Sequence, residues 1–170
     1  SPGWIKFGET YFPELMENVS SCKSPQQMLG TLLKTYYADS RGLNPERITS
    51  LSIMPCTAKK YEASRPEMNS SGFRDVDFVL TTRELARIIR EAGIDFATLG
   101  DEAPDPIMSS YTGAATIFGA TGGVMEAAVR TAYELETGTP LERLELRSVR
   151  GMEGVKAATL DVDGVPVRVA

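Results

Sequence analysis

The chain of 170 residues contains no histidine. Metal sites built on imidazole, serine–histidine triads and histidine proton shuttles are therefore excluded. The chain also has few cysteines, since it contains only Cys22 and Cys56. Two thiols are too few for a disulfide scaffold and fit a reducing compartment, so any cysteine chemistry has to rest on single thiolates.

Long apolar runs and basic clusters are also missing. No stretch reaches the roughly 18 apolar residues that suggest a membrane span, and Ser1 to Trp4 has neither the basic region nor the core of a signal peptide. The formal charge is −5, so we expect neither nucleic acid nor an anionic membrane as a partner. The expected compartment is the cytoplasm, with the periplasm as the alternative.

What is present suits a folded domain, since 42% of the residues are hydrophobic. Apolar residues at helical spacing between Ser24 and Tyr36 predict a helix capped by Ser24, which Gly42 and Pro45 end. Ile48 to Met54 is a compact apolar run that predicts a buried parallel strand. Functional sites of open α/β sheets lie at the carboxyl ends of such strands.

The rest of the chain predicts further strands and helices. The expected elements are a strand at Phe78 to Leu80, a helix from Arg83 to Glu91 capped by Thr81 or Thr82, a glycine-rich strand-to-helix turn at Ile117 to Gly123, a helix from Val124 to about Glu136, a strand at Leu144 to Val149, and a hairpin of Val155 to Val162 with Val165 to Val169 around Asp163-Gly164. The fold class is α/β: a mainly parallel sheet flanked by helices, with a C-terminal β-hairpin. Because the last strand runs almost to the final residue, we expect a cut boundary there.

Cys56 is the strongest single candidate for chemistry. It follows a predicted strand and precedes Lys59 by three residues, so a nearby cation favours its thiolate form. The alternative for Cys56 is a buried structural cysteine. For Lys59, taken alone, the alternative is a solvated surface lysine.

Four stretches resemble the iron-only (FeFe) hydrogenases in the same order along the chain. They are Pro2 to Trp4, Ser20 to Gln27, Ile53 to Ala63 with its Met-Pro-Cys-Thr-Ala-Lys-Lys segment, and Ile117 to Ala128. Residues 1–170 thus resemble a fragment of the hydrogenase catalytic domain that lacks the residues before Pro-Gly-Trp and the C-terminal cysteine motif. The resemblance implies that the intact domain has two lobes with the cofactor between them.

The cofactor that this resemblance implies is the H-cluster. It is a 4Fe-4S cubane joined through one cysteine to a two-iron subcluster with carbon monoxide, cyanide and a bridging dithiolate, and the family reversibly reduces protons to hydrogen at the outer iron. By the same resemblance, Cys56 is similar to a thiolate ligand of the cubane. Lys59 is similar to the ammonium that hydrogen-bonds a cyanide.

The resemblance also implies roles for six residues around the two-iron subcluster: Met54 against the dithiolate, Pro25 and Gln26 as the opposite wall, Phe118 and Gly119 lining the pocket, and Ser20 in a proton relay. Each of them alone has an ordinary structural alternative. Ser20 would be a turn or cap residue, and the glycine-rich turn a tight connection.

The sequence departs from the family in its cysteines. Ser1 stands where the first family motif has a ligand, and the C-terminal pair of cysteine motifs has no counterpart. Cys22 matches no ligand position and is expected to be a small core residue. Cys56 alone cannot retain a cubane that four cysteines normally hold. The chain by itself is therefore expected to carry no cofactor and to be inactive, although its parent is a hydrogenase.

The implied partners are an electron carrier, such as ferredoxin or NAD(P)H-linked subunits, and the remaining parts of the hydrogenase polypeptide. Two other functions stay open. One is a hydrogenase-like iron–sulfur assembly protein of the Narf/Nar1 group without hydrogenase activity, although Gly122 to Ala128 favours the hydrogenases. The other is an α/β binding domain that holds a phosphate ligand at the turn from Gly119 to Gly123.

Overall fold

The computed structural model describes residues 1–108 and 113–170. The chain divides into two compact units, Ser1–Met108 and Ser109–Ala170. Among the described residues, no helix combines the length and the apolar character needed to cross a membrane.

The first unit begins with helices and continues into strand–helix repeats. Its elements are α1 (Pro2–Tyr11), a 3₁₀ helix (Pro13–Asn18), α2 (Pro25–Leu32), a π-helical turn (Leu33–Tyr37), α3 (Ala38–Ser40), a 3₁₀ helix (Pro45–Arg47), β1 (Leu51–Met54), α4 (Ala58–Ser64), β2 (Phe78–Thr81), α5 (Thr82–Glu91) and a 3₁₀ helix (Phe96–Thr98).

The two strands of this unit are parallel, as the sequence predicted. In their register Ile53 lies opposite Leu80, and Met54 lies opposite Thr81. Helix α5 begins directly after β2 because the Thr81 hydroxyl accepts from the amide of Glu84, while the Glu84 carboxylate accepts from the amide of Thr81. The prediction of a buried strand was wrong for β1, since Ile53 is 39% exposed. A sheet of two strands is too small to bury both of its faces.

Helix α2 begins where the sequence predicted, with the Ser24 hydroxyl accepting from the amide of Gln27. Its apolar stripe, however, is not the face that packs. Among the described residues, the buried positions of this helical stretch are polar or small, whereas the large apolar side chains Met28, Leu29, Leu32 and Tyr36 are exposed. Two polar residues of this face are paired: the Lys34 ammonium lies 2.7 Å from an Asp77 carboxylate oxygen, and the Gln26 side chain accepts from the Ser52 hydroxyl. The fully buried side chain of Gln27 has no hydrogen-bond partner among the described residues.

The second unit contains α6 (Ala114–Phe118) and α7 (Gly123–Thr137). The glycine-rich turn therefore joins two helices rather than a strand and a helix, which corrects the sequence prediction. Gly123 is required at this turn, because a Cβ there would lie 1.7 Å from the carbonyl oxygen of Ile117. As predicted, α7 ends at Gly138, whose φ is 70°.

Three antiparallel strands complete the second unit: β3 (Arg147–Ser148), β4 (Lys156–Val162) and β5 (Val165–Val169). The predicted hairpin is confirmed, with Val162 opposite Val165 and positive φ angles of 51° at Asp163 and 85° at Gly164. Both angles suit the tight two-residue turns of hairpins. The fold class is thus α/β, with a parallel pair, flanking helices and a C-terminal antiparallel sheet.

Candidate functional site

The connection from β1 to α4 holds the first candidate residue. β1 ends at Met54 and α4 begins at Ala58, so Cys56 lies at the carboxyl end of a parallel strand. Its thiol is free and the residue is exposed, and the alternative of a buried structural cysteine is therefore wrong. Cys22 is also exposed, which corrects its expected place in the core. Exposure is what a thiol needs in order to reach a ligand outside its own chain segment.

Lys59 lies in the first turn of α4 with its side chain only 16% exposed. Its ammonium is 3.1 Å from each carboxylate oxygen of Glu62. Residues three apart on a helix are neighbours, so the backbone of α4 itself brings these two charges together. The alternative of a solvated surface lysine is wrong for Lys59.

Gln26 joins α2 to the strand and helix that flank Cys56. Its side-chain oxygen accepts from the Ser52 hydroxyl at 2.9 Å, and its amide nitrogen donates to the Lys59 carbonyl oxygen at 3.5 Å. Gln26 is 6% exposed, so both groups need such partners. The structure therefore brings two predicted site residues, Gln26 and Lys59, into direct contact. Pro25 precedes them as the exposed first residue of α2.

Met54 and Ser20 lie in ordinary structural settings. Met54 is half-buried and packs against the core cluster of Ala63, Val76 and Val79. The exposed Ser20 hydroxyl accepts from the amide of Cys22 at 3.2 Å, the local bond of a turn residue. Neither environment tests the role that the family resemblance implies.

Phe118 and Gly119 belong to the second unit. Phe118 is the last residue of α6 and is 38% exposed. Gly119 has more room than Gly123, because a Cβ on it would come no closer than 3.6 Å to the Thr116 carbonyl oxygen. The close backbone approach in this turn is thus made at Gly123, and the pocket roles of Phe118 and Gly119 stay predictions.

Two carboxylates fix the loop that leads into β2. Asp75 has no exposed surface and accepts from the amides of Ser70 at 3.0 Å and Ser71 at 2.9 Å. Burial acts to raise the pKa of Asp75, but these donors and the nearby Lys23 ammonium lower it below its ordinary value. The pKa of Asp77 is lowered in the same way, since hydrogen bonds from Lys34 and from Ser50 outweigh its burial. These hydrogen bonds were not predicted from the sequence.

Cys56, free and exposed at the end of β1, is suited by its chemistry to bind an iron–sulfur group. Within residues 1–108 and 113–170, no group of three or more histidine, cysteine, aspartate or glutamate side chains could hold a metal ion. Cys56 can supply one thiolate and Lys59 a cation, and both suit an anionic sulfur-ligated group. The side-chain amide of Gln26 is already bonded to Ser52 and to the Lys59 carbonyl oxygen. The remaining thiolates of a four-cysteine site would have to come from outside this chain.

Comparison with known proteins identifies the family. The whole chain, residues 1–170, matches the family described as iron only hydrogenase large subunit, C-terminal domain. The periplasmic [Fe] hydrogenase large subunit of Nitratidesulfovibrio vulgaris is 55% identical over 99% of this chain and 40% of its own length. A subunit of the NADP-reducing hydrogenase of Solidesulfovibrio fructosivorans is 54% identical over 95% of this chain and 28% of its own length.

A solved FeFe-hydrogenase structure that concerns stepwise H-cluster assembly matches 94% of this chain and 39% of its own, with a TM-score of 0.74 and 50% identity. Cytosolic iron-sulfur assembly component 3 of Pongo abelii is more distant, at 34% identity over 96% of this chain and 35% of its own length. The chain belongs to the iron-only hydrogenase large-subunit family and matches its C-terminal domain. It spans about two fifths of the N. vulgaris subunit's length.

Proposed function

We propose that this chain is part of an iron hydrogenase that catalyses the reversible reduction of protons to hydrogen. The observation that carries the proposal is the placement of Cys56 at the end of β1, with the largely buried Lys59 ammonium in the next helical turn. Identity of 55% to a hydrogenase large subunit over almost the whole chain supports it.

In this proposal, Cys56 and Lys59 hold different parts of the H-cluster. The cluster supplies the redox chemistry by which protons and electrons become hydrogen. Cys56 provides one thiolate ligand to the cubane, because soft sulfur suits iron–sulfur clusters. Lys59 donates an N–H to an anionic cyanide, and its partial burial strengthens that interaction by excluding water.

The other predicted residues complete the surroundings. Pro25, Gln26 and Met54 would help to hold the two-iron subcluster, Pro25 and Gln26 from the start of α2 and Met54 from the end of β1. For Phe118 and Gly119 we propose the cofactor-binding role that the family resemblance implies. Ser20 passes protons, for which its hydroxyl is suited because it donates and accepts.

Three further features are also proposals: the remaining thiolate ligands, the electron partner and the compartment. We propose that the rest of the hydrogenase polypeptide supplies three further ligands, so that the chain alone carries no cluster and has no activity. Ferredoxin or NAD(P)H-linked subunits are the proposed electron partners, and the similarity to a subunit of an NADP-reducing enzyme supports the second. The cytoplasm is the proposed compartment; a relative named as periplasmic supports the alternative.

The second candidate function is that of an iron–sulfur assembly protein. It is favoured by the similarity to a cytosolic iron-sulfur assembly component, but that identity is 34%, against 55% for the hydrogenase. The two functions differ in one observable property, the turnover of hydrogen.

Hydrogen evolution from a reduced viologen dye tests the proposal. The full-length protein that carries this chain, produced together with hydrogenase maturation proteins, should evolve hydrogen. Residues 1–170 alone should evolve none and should bind less than stoichiometric iron. A maturated full-length protein that binds iron and evolves no hydrogen would favour the assembly function, and turnover by the chain alone would refute the need for outside ligands.

A further inference from the structure

Glu62 is a buried carboxylate to which the family resemblance gave no role. It is 5% exposed. Besides the two contacts of 3.1 Å with the Lys59 ammonium, it accepts a hydrogen bond from the Ser24 hydroxyl. A buried charge is tolerated only when it is paired and hydrogen-bonded, and these two partners meet that need.

The partners of Glu62 lie on two elements that border the candidate site. Ser24 caps α2 and directly precedes Pro25 and Gln26, whereas Lys59 lies in the first turn of α4. The carboxylate therefore holds the beginning of α2 against the beginning of α4. The hydrogen bond from Gln26 to the Lys59 carbonyl oxygen reinforces the same contact.

The neighbouring lysine shows what an ordinary surface ion pair looks like in this unit. Lys60 lies 2.6 Å from a Glu84 oxygen, and the two side chains are 40% and 41% exposed. For the Lys59–Glu62 pair the corresponding values are 16% and 7%. Exposed pairs contribute little because water and salt screen them, whereas a buried pair fixes the position of its ammonium.

We propose that Glu62 is a positioning residue of the candidate site, which holds the Lys59 ammonium and the Ser24 hydroxyl in place beside the cofactor. The proposal rests on the proposed function. An ammonium has three N–H donors, and the two carboxylate oxygens of Glu62 can take two of them. The third N–H of Lys59 is then available to an anionic ligand of the cofactor. The ion pair with Glu62 sets the direction in which this N–H points.

Lysine acylation in the full-length, cofactor-free protein tests the ion pair directly. Glu62→Gln keeps the size of the side chain and one accepting oxygen but removes the charge. It should raise the rate at which acetic anhydride modifies Lys59 several-fold, measured by mass spectrometry, and leave the rate at Lys60 unchanged. The matched control Glu84→Gln removes the partner of an exposed lysine, so it should change the rate at Lys60 little and leave the rate at Lys59 unchanged. An unchanged rate at Lys59 in Glu62→Gln would overturn the proposal.

Glu62→Asp keeps the charge on a shorter side chain, so it should restore part of the protection of Lys59. This variant also covers the case in which Glu62→Gln fails to fold. If Lys59 in a folded Glu62→Asp variant is acylated as fast as in the fully unfolded protein, the proposal is overturned.

The infrared cyanide bands of the cofactor-loaded protein test the effect on the site. Glu62→Gln should shift a cyanide band while the cofactor content stays at the wild-type level, and Glu84→Gln should shift none. Unchanged bands in Glu62→Gln would overturn the positioning role. Should the maturated wild-type protein show no cyanide bands, the proposed function fails, whereas the acylation contrast still decides whether Glu62 positions Lys59.

Discussion

Asp75 shows how much a single residue can determine in this fold. Its carboxylate is fully buried and accepts from the amides of Ser70 and Ser71, with the Lys23 ammonium at 3.5 Å. These donors turn the chain from the end of α4 towards β2. Without the negative charge, the loop would have buried donors that lack a strong acceptor.

Asp75→Asn should lower the free energy of unfolding by about 2 to 3 kcal/mol, because one accepting oxygen is replaced by an amide that opposes the backbone donors. Urea unfolding of the chain measures this, with Asp39→Asn as the control at an exposed carboxylate.

The pKa of Asp75 is lowered in the folded state. Its contribution to stability is therefore present above the ordinary pKa of 3.8 and is lost as the pH falls below that value. The difference in the free energy of unfolding between the wild type and Asp75→Asn should therefore become smaller below about pH 3.8. Equal stability at neutral pH would contradict this account.

The contacts of Ser24 were predicted from the sequence only in part. Ser24 was predicted as a cap because capping depends on the next three residues of the chain. Its bond to Glu62 was not predicted, because that partner is 38 positions away and depends on tertiary packing. The i,i+3 spacing of Lys59 and Glu62 was the one signal that could have identified their pair.

At the scale of elements, α2 packs through a face that the sequence pattern did not indicate. Hydrophobic spacing predicted the helix correctly, but it assigned the contact face to large apolar side chains. The structure instead packs Gly30 closely against the loop before β2, where a Cβ would lie 2.4 Å from the Asp75 carbonyl oxygen. Spacing reports only amphipathicity and does not show which face of a helix packs. The packed face includes the paired side chains of Gln26 and Lys34 and the unpaired side chain of Gln27.

Gly30→Ala should therefore destabilise the chain by about 1 to 3 kcal/mol, since the neighbour of the new Cβ is backbone that cannot move aside cheaply. Gly3→Ala is the control: it also lies in a helix, and a Cβ there would meet nothing within 4 Å. That variant should be neutral or up to about 1 kcal/mol more stable. Thermal unfolding distinguishes the two, and an unchanged melting temperature in Gly30→Ala would contradict the close approach.

The C-terminal hairpin was the element predicted most accurately. Its register follows from two residues, Asp163 and Gly164, which adopt the positive φ angles that a two-residue turn requires. Such a turn is encoded locally, and no distant contact is needed to specify it. The strand predicted at Leu144 to Val149 is reduced to Arg147–Ser148, because strand length depends on the partner strand.

At the scale of the whole molecule, this chain spans about two fifths of the length of the N. vulgaris relative. Several large apolar residues are exposed, among them Trp4, Leu29 and Phe78. We expect the rest of the hydrogenase polypeptide to cover some of this surface, because exposed apolar patches usually mark contacts. Sequence motifs predicted the family because Met54 to Lys60 is a local signature. They could not predict the Glu62 network, which forms only when α2 and α4 meet.

Cys56 as an iron–sulfur ligand is the role on which the proposed function depends most. The most direct measurement is the iron bound per molecule of the maturated full-length protein, purified without oxygen, in the variants Cys56→Ser and Cys22→Ser. Both cysteines are free and exposed, so the second is a matched control. Cys22→Ser should retain the wild-type iron content, and Cys56→Ser should lose a large part of it, because a hydroxyl is a far poorer ligand for iron than a thiolate. Wild-type iron content in Cys56→Ser would contradict the account.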